Sequence, residues 1–109
     1  MAVRVQNIFA DMLTPAGQEQ FVTLRENAHV KIERIVSHTH SSPPGFWYDQ
    51  AEDEWVIVLR GQATLECQGG ELIELKEGDF VNIPSHVRHR VQRTDFQTVW
   101  LAVKVAALS

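Results

Sequence analysis

The chain has 109 residues, of which 44% are hydrophobic, so it can bury one core but is too short for two ordinary domains. Ten Lys and Arg stand against fourteen Asp and Glu, and the net charge of -4 gives no general attraction to nucleic acid or to an anionic membrane surface. We therefore predict a single domain over residues 1–109, with neither nucleic acid nor a membrane as its partner.

The N-terminal segment, residues 1–28, carries weak structural signals. Arg4, Gln6 and Asp11 interrupt any apolar stretch, so neither a signal peptide nor a membrane helix is expected and we predict a cytoplasmic protein. Residues 14–17, Thr-Pro-Ala-Gly, break the periodicity further, and a short strand is predicted only over residues 21–24. The core of the domain is expected over residues 29–105.

From His29 onward the apolar residues alternate or cluster in short runs, and no window keeps a helical spacing. The predicted strands cover residues 30–40, 55–59, 63–67, 71–75, 80–83, 89–93 and 98–105. Glycine-containing turns separate several of them. Short strands joined by such turns indicate an all-β sandwich or barrel.

Two histidines lie near the end of the first of these strands. Side chains two residues apart on a strand point the same way, so His38 and His40 are expected to lie about 7 Å apart on one face. The same phase includes Ile32, Arg34 and Val36, which predicts that this face lines the interior. The pair could hold a metal ion, or simply form hydrogen bonds in the core or at the rim.

The loop after the histidines combines proline and aromatic residues. Residues 43–45, Pro-Pro-Gly, stiffen it, and Trp47 and Tyr48 follow directly. These rings are expected either to shape a pocket entrance or to pack on the outside or in a dimer interface. We take Trp47, Tyr48 and Arg34 as candidate substrate-binding residues, with pairing to a buried acid as the alternative role for Arg34.

Further polar residues stand at strand ends. Glu54 precedes the apolar run 55–59, and a buried acid needs a partner. His89 opens a later strand that follows the turn-rich stretch 78–84. Cys67 is the single cysteine, so an internal disulfide and a zinc site of several thiolates are both excluded, and we predict a buried, inert thiol.

These residues resemble the two motifs of the cupin superfamily. The first motif, a His-any-His pair followed by a Glu and, after six residues, a Gly, is matched by His38, His40, Glu54 and Gly61. The second motif, a Gly, five residues, a Pro and a His five residues further on, is matched by Gly78, Pro84 and His89. The resemblance covers roughly residues 30–105 and is to a small single-domain, RmlC-like cupin.

The resemblance implies a fold and a cofactor. The fold is a double-stranded β-helix, or jelly-roll barrel, and the expected metal ligands are His38, His40, Glu54 and His89. Three imidazoles and one carboxylate suit one divalent ion, such as Zn, Ni, Fe, Mn or Cu, and are a poor match for Ca or Mg. Open positions on such an ion would be available to a substrate.

The match departs from the family pattern at several places, including Ile32 where a glycine is expected six residues before His38 and Arg93 where an asparagine often follows the last His. Thirteen residues, 41–53, separate His40 from Glu54, where the motif usually has three or four, and His86 stands where Gly or Asn is usual. If the longer connection displaces Glu54, then His38, His40 and His89 remain as a three-histidine site. A cupin without metal is the other alternative.

The predicted function is that of a metal-dependent cupin enzyme acting on a small polar metabolite. The sequence does not choose among dioxygenase, isomerase and decarboxylase, and it shows no Ser-His or Cys-His arrangement that would name a catalytic residue. The alternatives are a binding module for a small ligand or metal and a structural dimer. Edge strands need cover, so we predict a homodimer.

Overall fold

The computed structural model describes residues 3–106, which form eight strands. In chain order they are β1 (Glu19–Glu26), β2 (Val30–Ser37), β3 (Asp53–Arg60), β4 (Gln62–Cys67), β5 (Leu72–Lys76), β6 (Phe80–Ile83), β7 (His89–Thr94) and β8 (Thr98–Val105). Residues 3–106 contain no helix, and so none that is long and apolar enough to cross a membrane. The predicted all-β class is confirmed.

The strands form two antiparallel sheets. Five strands make one sheet, in the order β1-β2-β8-β3-β6, and three make the other, in the order β5-β4-β7. The chain passes from one sheet to the other between β3 and β4, and again at each of the connections from β5 to β8. This repeated crossing is the topology of a double-stranded β-helix, as predicted.

Inward-facing side chains from both sheets form one core. On β3, Val56 and Val58 are buried while Trp55 and Ile57 are half-exposed, the alternation expected of a strand with one face covered. The core cluster draws its members from β3 to β8: Val56, Val58, Ala63, Leu65, Leu75, Ile83, Val91, Trp100 and Ala102.

The ends of two strands differ from the prediction in ways that affect the site. β1 begins at Glu19, so the five-stranded sheet starts inside the segment that we placed before the core. β2 ends at Ser37 rather than at His40. Thr39 has a φ of 49°, in the left-handed region, which interrupts the extended chain just after β2. His38 and His40 therefore belong to a loop.

The side-chain phase of β2 is the reverse of the predicted one. Ile35 lies opposite Trp100 in the pairing with β8, whereas Arg34 lies opposite Leu101. Because Trp100 belongs to the core, Ile35 faces inward and Arg34 faces outward. Arg34 is nevertheless buried, since its guanidinium donates hydrogen bonds to three backbone carbonyls within residues 8–11, which cross this outer face.

Gly61 forms the turn between β3 and β4, at the position where the first motif has its glycine. Its φ is 87°, and a Cβ there would lie 2.7 Å from the Gln97 carbonyl oxygen and 2.9 Å from the Thr98 hydroxyl. A larger residue would therefore meet both an unfavourable backbone conformation and the chain entering β8. This glycine fixes the end of the strand that carries Glu54.

Candidate active site

A cavity opens between the two sheets. Most of its wall is apolar, formed by Phe21, Ile35, Val56, Leu65, Ile83, Val91 and Trp100. The polar lining residues are Glu19, Tyr48, Gln50, Glu54, His89 and Lys104. An apolar cavity with a few convergent polar groups is typical of a small-molecule site.

Glu54 and His89 meet inside this cavity although they belong to different sheets. His89 Nε2 lies 3.4 Å from Glu54 Oε1, and the two side chains are 5% and 11% exposed. The other ring nitrogen of His89, Nδ1, lies 2.9 Å from the Val87 carbonyl oxygen. Gln50 Nε2 donates a hydrogen bond to Glu54 Oε1 at 3.1 Å. Both members of the pair are thus oriented by further partners.

The contacts of His89 favour its protonated form. The Val87 carbonyl can only accept, so Nδ1 carries the hydrogen of that contact. Nε2 faces the Glu54 carboxylate, with Glu54 Oε1 at 3.4 Å. Burial lowers the pKa of His89, but the hydrogen bonds to Glu54 and Val87 outweigh it and leave the pKa above 6.5. Burial raises the pKa of Glu54, but hydrogen bonds from His89 and Gln50 outweigh it and leave the pKa below 4.5. Both shifts act in favour of an imidazolium beside a carboxylate.

Tyr48 covers one side of His89. The two residues exchange backbone hydrogen bonds of 2.7 and 3.1 Å, and their rings stack with centroids 5.4 Å apart. Burial, followed by the negative charges of Glu19, Glu54 and Glu33, raises the pKa of the Tyr48 phenol to about 12. The phenol therefore keeps its proton at neutral pH and presents a hydrogen-bond donor to the cavity.

The other two candidate substrate-binding residues lie outside the cavity wall. Trp47 packs against Arg88, whose guanidinium carbon is 5.8 Å from the centre of the indole ring. Arg34 lies under residues 8–11 on the outer face of the five-stranded sheet. Tyr48 is thus the one of the three that the structure places in the wall.

His38 and His40 contact different neighbours, and neither contacts Glu54 or His89. His38 Nδ1 lies 2.8 Å from the Thr14 carbonyl oxygen, and its ring meets Phe96 edge-on at 4.7 Å. His40 Nε2 lies 3.1 Å from Glu19 Oε1. The positive φ of Thr39 accounts for the divergence, because it removes the strand alternation that would give both imidazoles one direction.

The four residues expected to bind a metal are divided in this arrangement. Glu54 and His89 are together, while His38 and His40 have the separate partners just described. Within residues 3–106, no group of three or more His, Cys, Asp or Glu side chains could hold an ion. The side chains as placed do not fit one ion bound by all four residues.

Tyr48 and Gln50 stand at the positions that the spacing of the first motif assigns to its two histidines. One residue separates them, and three residues, 51–53, separate Gln50 from Glu54, which is the usual gap. Both line the cavity beside Glu54 and His89. With this alignment no insertion is needed before Glu54, and a phenol and an amide replace the two imidazoles. This spacing was visible in the sequence, but we assigned the first motif to His38 and His40 because they form a His-any-His pair.

Two charged residues of the cavity wall were not among the predicted site residues. Glu19 lies in the segment that we placed before the core. Lys104 follows the core residue Trp100 by two strand alternations, which is a sequence signal for an inward position. Its Nζ lies 3.3 Å from Glu33 Oε1, and in the sheet Lys104 is in register with Glu54.

The comparison with protein families agrees with the fold and the motifs. A model of the cupin domain matches residues 33–104, which include β3 to β7 and most of β2 and β8. The chain belongs to the cupin family. All residues assigned to the two motifs lie within the matched range.

Two solved structures are similar to this chain along nearly its whole length. A Ralstonia eutropha JMP134 protein, described as a candidate mannose-6-phosphate isomerase, is 46% identical with a TM-score of 0.90, over 96% of this chain and 100% of that one. An RmlC-like cupin of Methanocaldococcus jannaschii with a double-stranded β-helix is 23% identical with a TM-score of 0.74, over 97% and 93%. The second likeness shows the fold alone.

A curated relative is similar over part of the chain. A 3-hydroxyanthranilate 3,4-dioxygenase of Paraburkholderia phytofirmans is 36% identical over 61 residues, which make up 53% of this chain and 35% of the dioxygenase. The chain therefore matches about a third of that protein's length.

Proposed function

We propose that this cupin is an enzyme that transfers protons within a small, largely apolar ligand, with Glu54 and His89 as the acid and base. The observation that carries the proposal is the pair itself: an imidazole held between a backbone carbonyl and a carboxylate, inside an apolar cavity. Perturbed, paired titratable groups in a cleft are typical of general acid–base sites.

The reaction class that fits is the interconversion of a carbonyl compound and its enol. Glu54, as carboxylate, takes a proton from the carbon beside the carbonyl, and Nε2 of protonated His89 gives a proton to the carbonyl oxygen. If the substrate carries a hydroxyl on that carbon, Glu54 returns its proton to the former carbonyl carbon while Nε2 of His89 takes the proton of this hydroxyl, which becomes the new carbonyl. Both residues regain their starting protonation states, and the overall oxidation state is unchanged. The Tyr48 phenol donates a hydrogen bond to the same oxygen, and Gln50 keeps Glu54 in place.

The description of the Ralstonia protein as a candidate isomerase supports this class of reaction. A sugar phosphate fits the cavity less well. Lys104 is the one lysine or arginine among the lining residues, and its ammonium already contacts Glu33. A phosphate group would also have to approach Glu54 and Glu19.

Hydrogen exchange with a small panel of carbonyl compounds tests the proposal. Hydroxyacetone, phenylacetone and mannose 6-phosphate are incubated with the protein in heavy water, and deuterium uptake is followed by mass spectrometry. We expect uptake by at least one ketone above the rate in buffer, and its loss in His89→Gln. Uptake that never exceeds the buffer rate, or that is equal in His89→Gln, would overturn the proposal and leave a non-catalytic binding module.

A metal-dependent enzyme with His38, His40, Glu54 and His89 as ligands is the second candidate. It is favoured by the meeting of Glu54 and His89 and by the name of the dioxygenase relative. It requires His38 and His40 to leave Thr14 and Glu19 and turn towards the pair. Elemental analysis after reconstitution with Zn, Ni, Fe, Mn or Cu tests it: one ion per chain, lost in both His40→Gln and His89→Gln, supports this candidate.

We also propose a homodimer. β1 and β6 are the edges of the five-stranded sheet, and Phe80 on β6 is 63% exposed. Exposed edges and apolar side chains of this kind are commonly covered by a partner. Sedimentation equilibrium gives the mass in solution, and a mass of one chain at all concentrations contradicts the dimer.

A further inference from the structure

Glu19 is a buried carboxylate in the cavity wall that the proposed reaction does not use. It is the first residue of β1, lies opposite Ser37 of β2, and its side chain is 9% exposed. Burial raises the pKa of this carboxyl, although the hydrogen bond from Ser37 and the charge of His40 act against that rise. An ionisable group is costly to bury unless specific partners compensate for the lost water.

The carboxylate of Glu19 is held in one orientation by a chain of hydrogen bonds through the core. The Ser37 hydroxyl donates to Glu19 Oε2 at 2.8 Å, and Trp100 Nε1 donates to the Ser37 hydroxyl oxygen at 3.1 Å. Ser37 is fully buried, and Trp100 is itself part of the cavity wall. The position of this carboxylate is therefore built into the barrel.

The other oxygen of Glu19 repeats the arrangement seen at His89. His40 Nε2 lies 3.1 Å from Glu19 Oε1, and His40 Nδ1 lies 3.3 Å from the Gly17 carbonyl oxygen. Each of the two histidines thus stands between a backbone carbonyl and a glutamate of the cavity wall.

The two pairs lie towards opposite ends of the five-stranded sheet. Glu54 is in register with Lys104 on β8, whereas Ser37, the partner of Glu19, is in register with Thr98. Residues 99–103 of β8 lie between these levels. The wall between them is apolar and includes the cross-strand pair Phe21 and Ile35, together with Trp100.

We propose that Glu19, held by Ser37 and His40, forms a second polar end of the cavity, which binds a hydroxyl or amino group of an elongated ligand. The apolar body of the ligand lies against Phe21, Ile35 and Trp100, and its reactive carbonyl lies at Glu54 and His89. The assignment rests on the proposed function, because it assumes that the same cavity holds the substrate.

The charges around the cavity define which ligand groups fit. Glu19, Glu33 and Glu54 all act on Tyr48, and all three raise its pKa. The nearby cation Lys104 lies at the Glu54 end, against Glu33. The Glu19 end therefore favours a hydrogen-bond donor and disfavours a carboxylate, which would face another acid in a cavity of low polarity.

Binding of three matched phenols tests this second end. The probes are para-ethylphenol, tyramine and para-hydroxyphenylpropanoate, which share a ring and differ in the group at the other end. Dissociation constants are measured by amide NMR on the full chain at about pH 7.5, where the amine is protonated and the acid is ionised. We expect tyramine to bind about tenfold more tightly than para-ethylphenol, and the acid to bind more weakly than both.

Two variants, Glu19→Gln and Ser37→Ala, test whether the preference for tyramine arises at Glu19. Glu19→Gln is expected to remove the preference for tyramine, and Ser37→Ala, which keeps the carboxylate but frees it, to reduce that preference. Equal binding of tyramine and para-ethylphenol by the wild type overturns the inference, even if a variant fails to fold. So does a tenfold preference that survives Glu19→Gln.

The two proposals fail in distinguishable ways. If tyramine is preferred but no ketone exchanges hydrogen, the second end stands and the proton-transfer function falls. If ketones exchange but tyramine is not preferred, the function stands and the second end falls. If no probe shifts the resonances of Tyr48 and His89, no ligand occupies the cavity and the second end falls as well.

Discussion

Two regions of this molecule carry histidines that are candidates for the functional site, and they differ in backbone conformation. His89 opens β7, a regular strand that faces the core, and its ring meets Glu54 from the opposite sheet. His38 and His40 follow β2, separated by Thr39 with its φ of 49°. Regular strand geometry brings one histidine into the cavity, whereas a single left-handed residue sends the other two to different neighbours.

This contrast shows that side-chain alternation can be inferred only within one continuous strand. A His-any-His pair places two imidazoles on one side if the strand persists, and here it ends at Ser37, just before the pair. Tyr48 and Gln50 show the opposite case, because they have no metal-binding appearance in the sequence and yet lie at the site.

The largest expected difference between the two regions is in catalysis. Glu54→Gln removes the carboxylate that accepts the proton, so hydrogen exchange of the ketone substrate should fall by a factor of about 10² to 10⁴. His38→Gln is the matched control in the other region. Because His38 contacts Thr14 rather than Glu54 or His89, this change should alter the rate by less than about twofold. A large loss in His38→Gln would mean that the regions are not separate.

The second prediction concerns the stability of the turn at Gly61, which ends the strand that carries Glu54. Gly61→Ala is expected to lower the free energy of unfolding by about 2–3 kcal/mol, because Ala disfavours the positive φ and its Cβ meets the Gln97 carbonyl. Gly45→Ala is the control, since Gly45 also has a positive φ, of 81°, but nothing lies within 4 Å of a Cβ there. Urea unfolding of both variants measures the contrast, and equal losses would show that the close contact has no effect.

A substitution of Arg34 tests whether this residue, on the outer face of β2, contributes to stability rather than to ligand binding. Arg34→Gln removes charge-assisted hydrogen bonds to the carbonyls of residues 8–11, so we expect a loss of about 1–2 kcal/mol in stability. The dissociation constant of para-ethylphenol should remain that of the wild type. Weaker binding of para-ethylphenol together with unchanged stability would show instead that Arg34 contributes to ligand binding.

The smallest expected effect is the pH dependence of stability from Glu54 and His89. The pKa of His89 is raised, so its contribution is full below pH 6.5 and is lost as the pH rises through the folded-state pKa. The pKa of Glu54 is lowered, so its contribution is present above pH 4.5 and is lost as the pH falls through the folded-state pKa. The pair therefore stabilises the fold most between pH 4.5 and pH 6.5, and its contribution declines on either side of that range.

Urea titrations at pH values from below 4.5 to above 6.5 measure how the free energy of unfolding depends on pH. The decline in stability above pH 6.5 should become smaller in Glu54→Gln, which removes the partner that raises the pKa of His89. An identical decline in the wild type and the variant would show that another group causes it.

Much of the fold could be predicted from the sequence because it is local in origin. Period-two alternation and turn glycines place seven of the eight strands within a few residues, and the burial of Val56 and Val58 follows the alternation of β3. The extension of β1 back to Glu19 could not be predicted in this way, since it depends on pairing with β2 rather than on apolar residues.

The proximity of Glu54 and His89 was predictable because strands carry both residues. Glu54 and His89 follow from the motif spacing, and the structure brings them together. The conformation of Thr39 is a tertiary effect, because its backbone N–H donates to the Asp95 carbonyl just before β8, and no local signal reports it. The cytoplasmic location and the lack of nucleic-acid and membrane partners stay predictions.

A single crystal structure would test the division between the two regions. The protein is crystallised with para-ethylphenol and Zn, and the data are collected at the zinc edge. We predict the phenol ring in the cavity, its oxygen within hydrogen-bond distance of Glu54 or His89, and His38 still against Thr14. A zinc ion bound jointly by His38, His40, Glu54 and His89 would contradict this division.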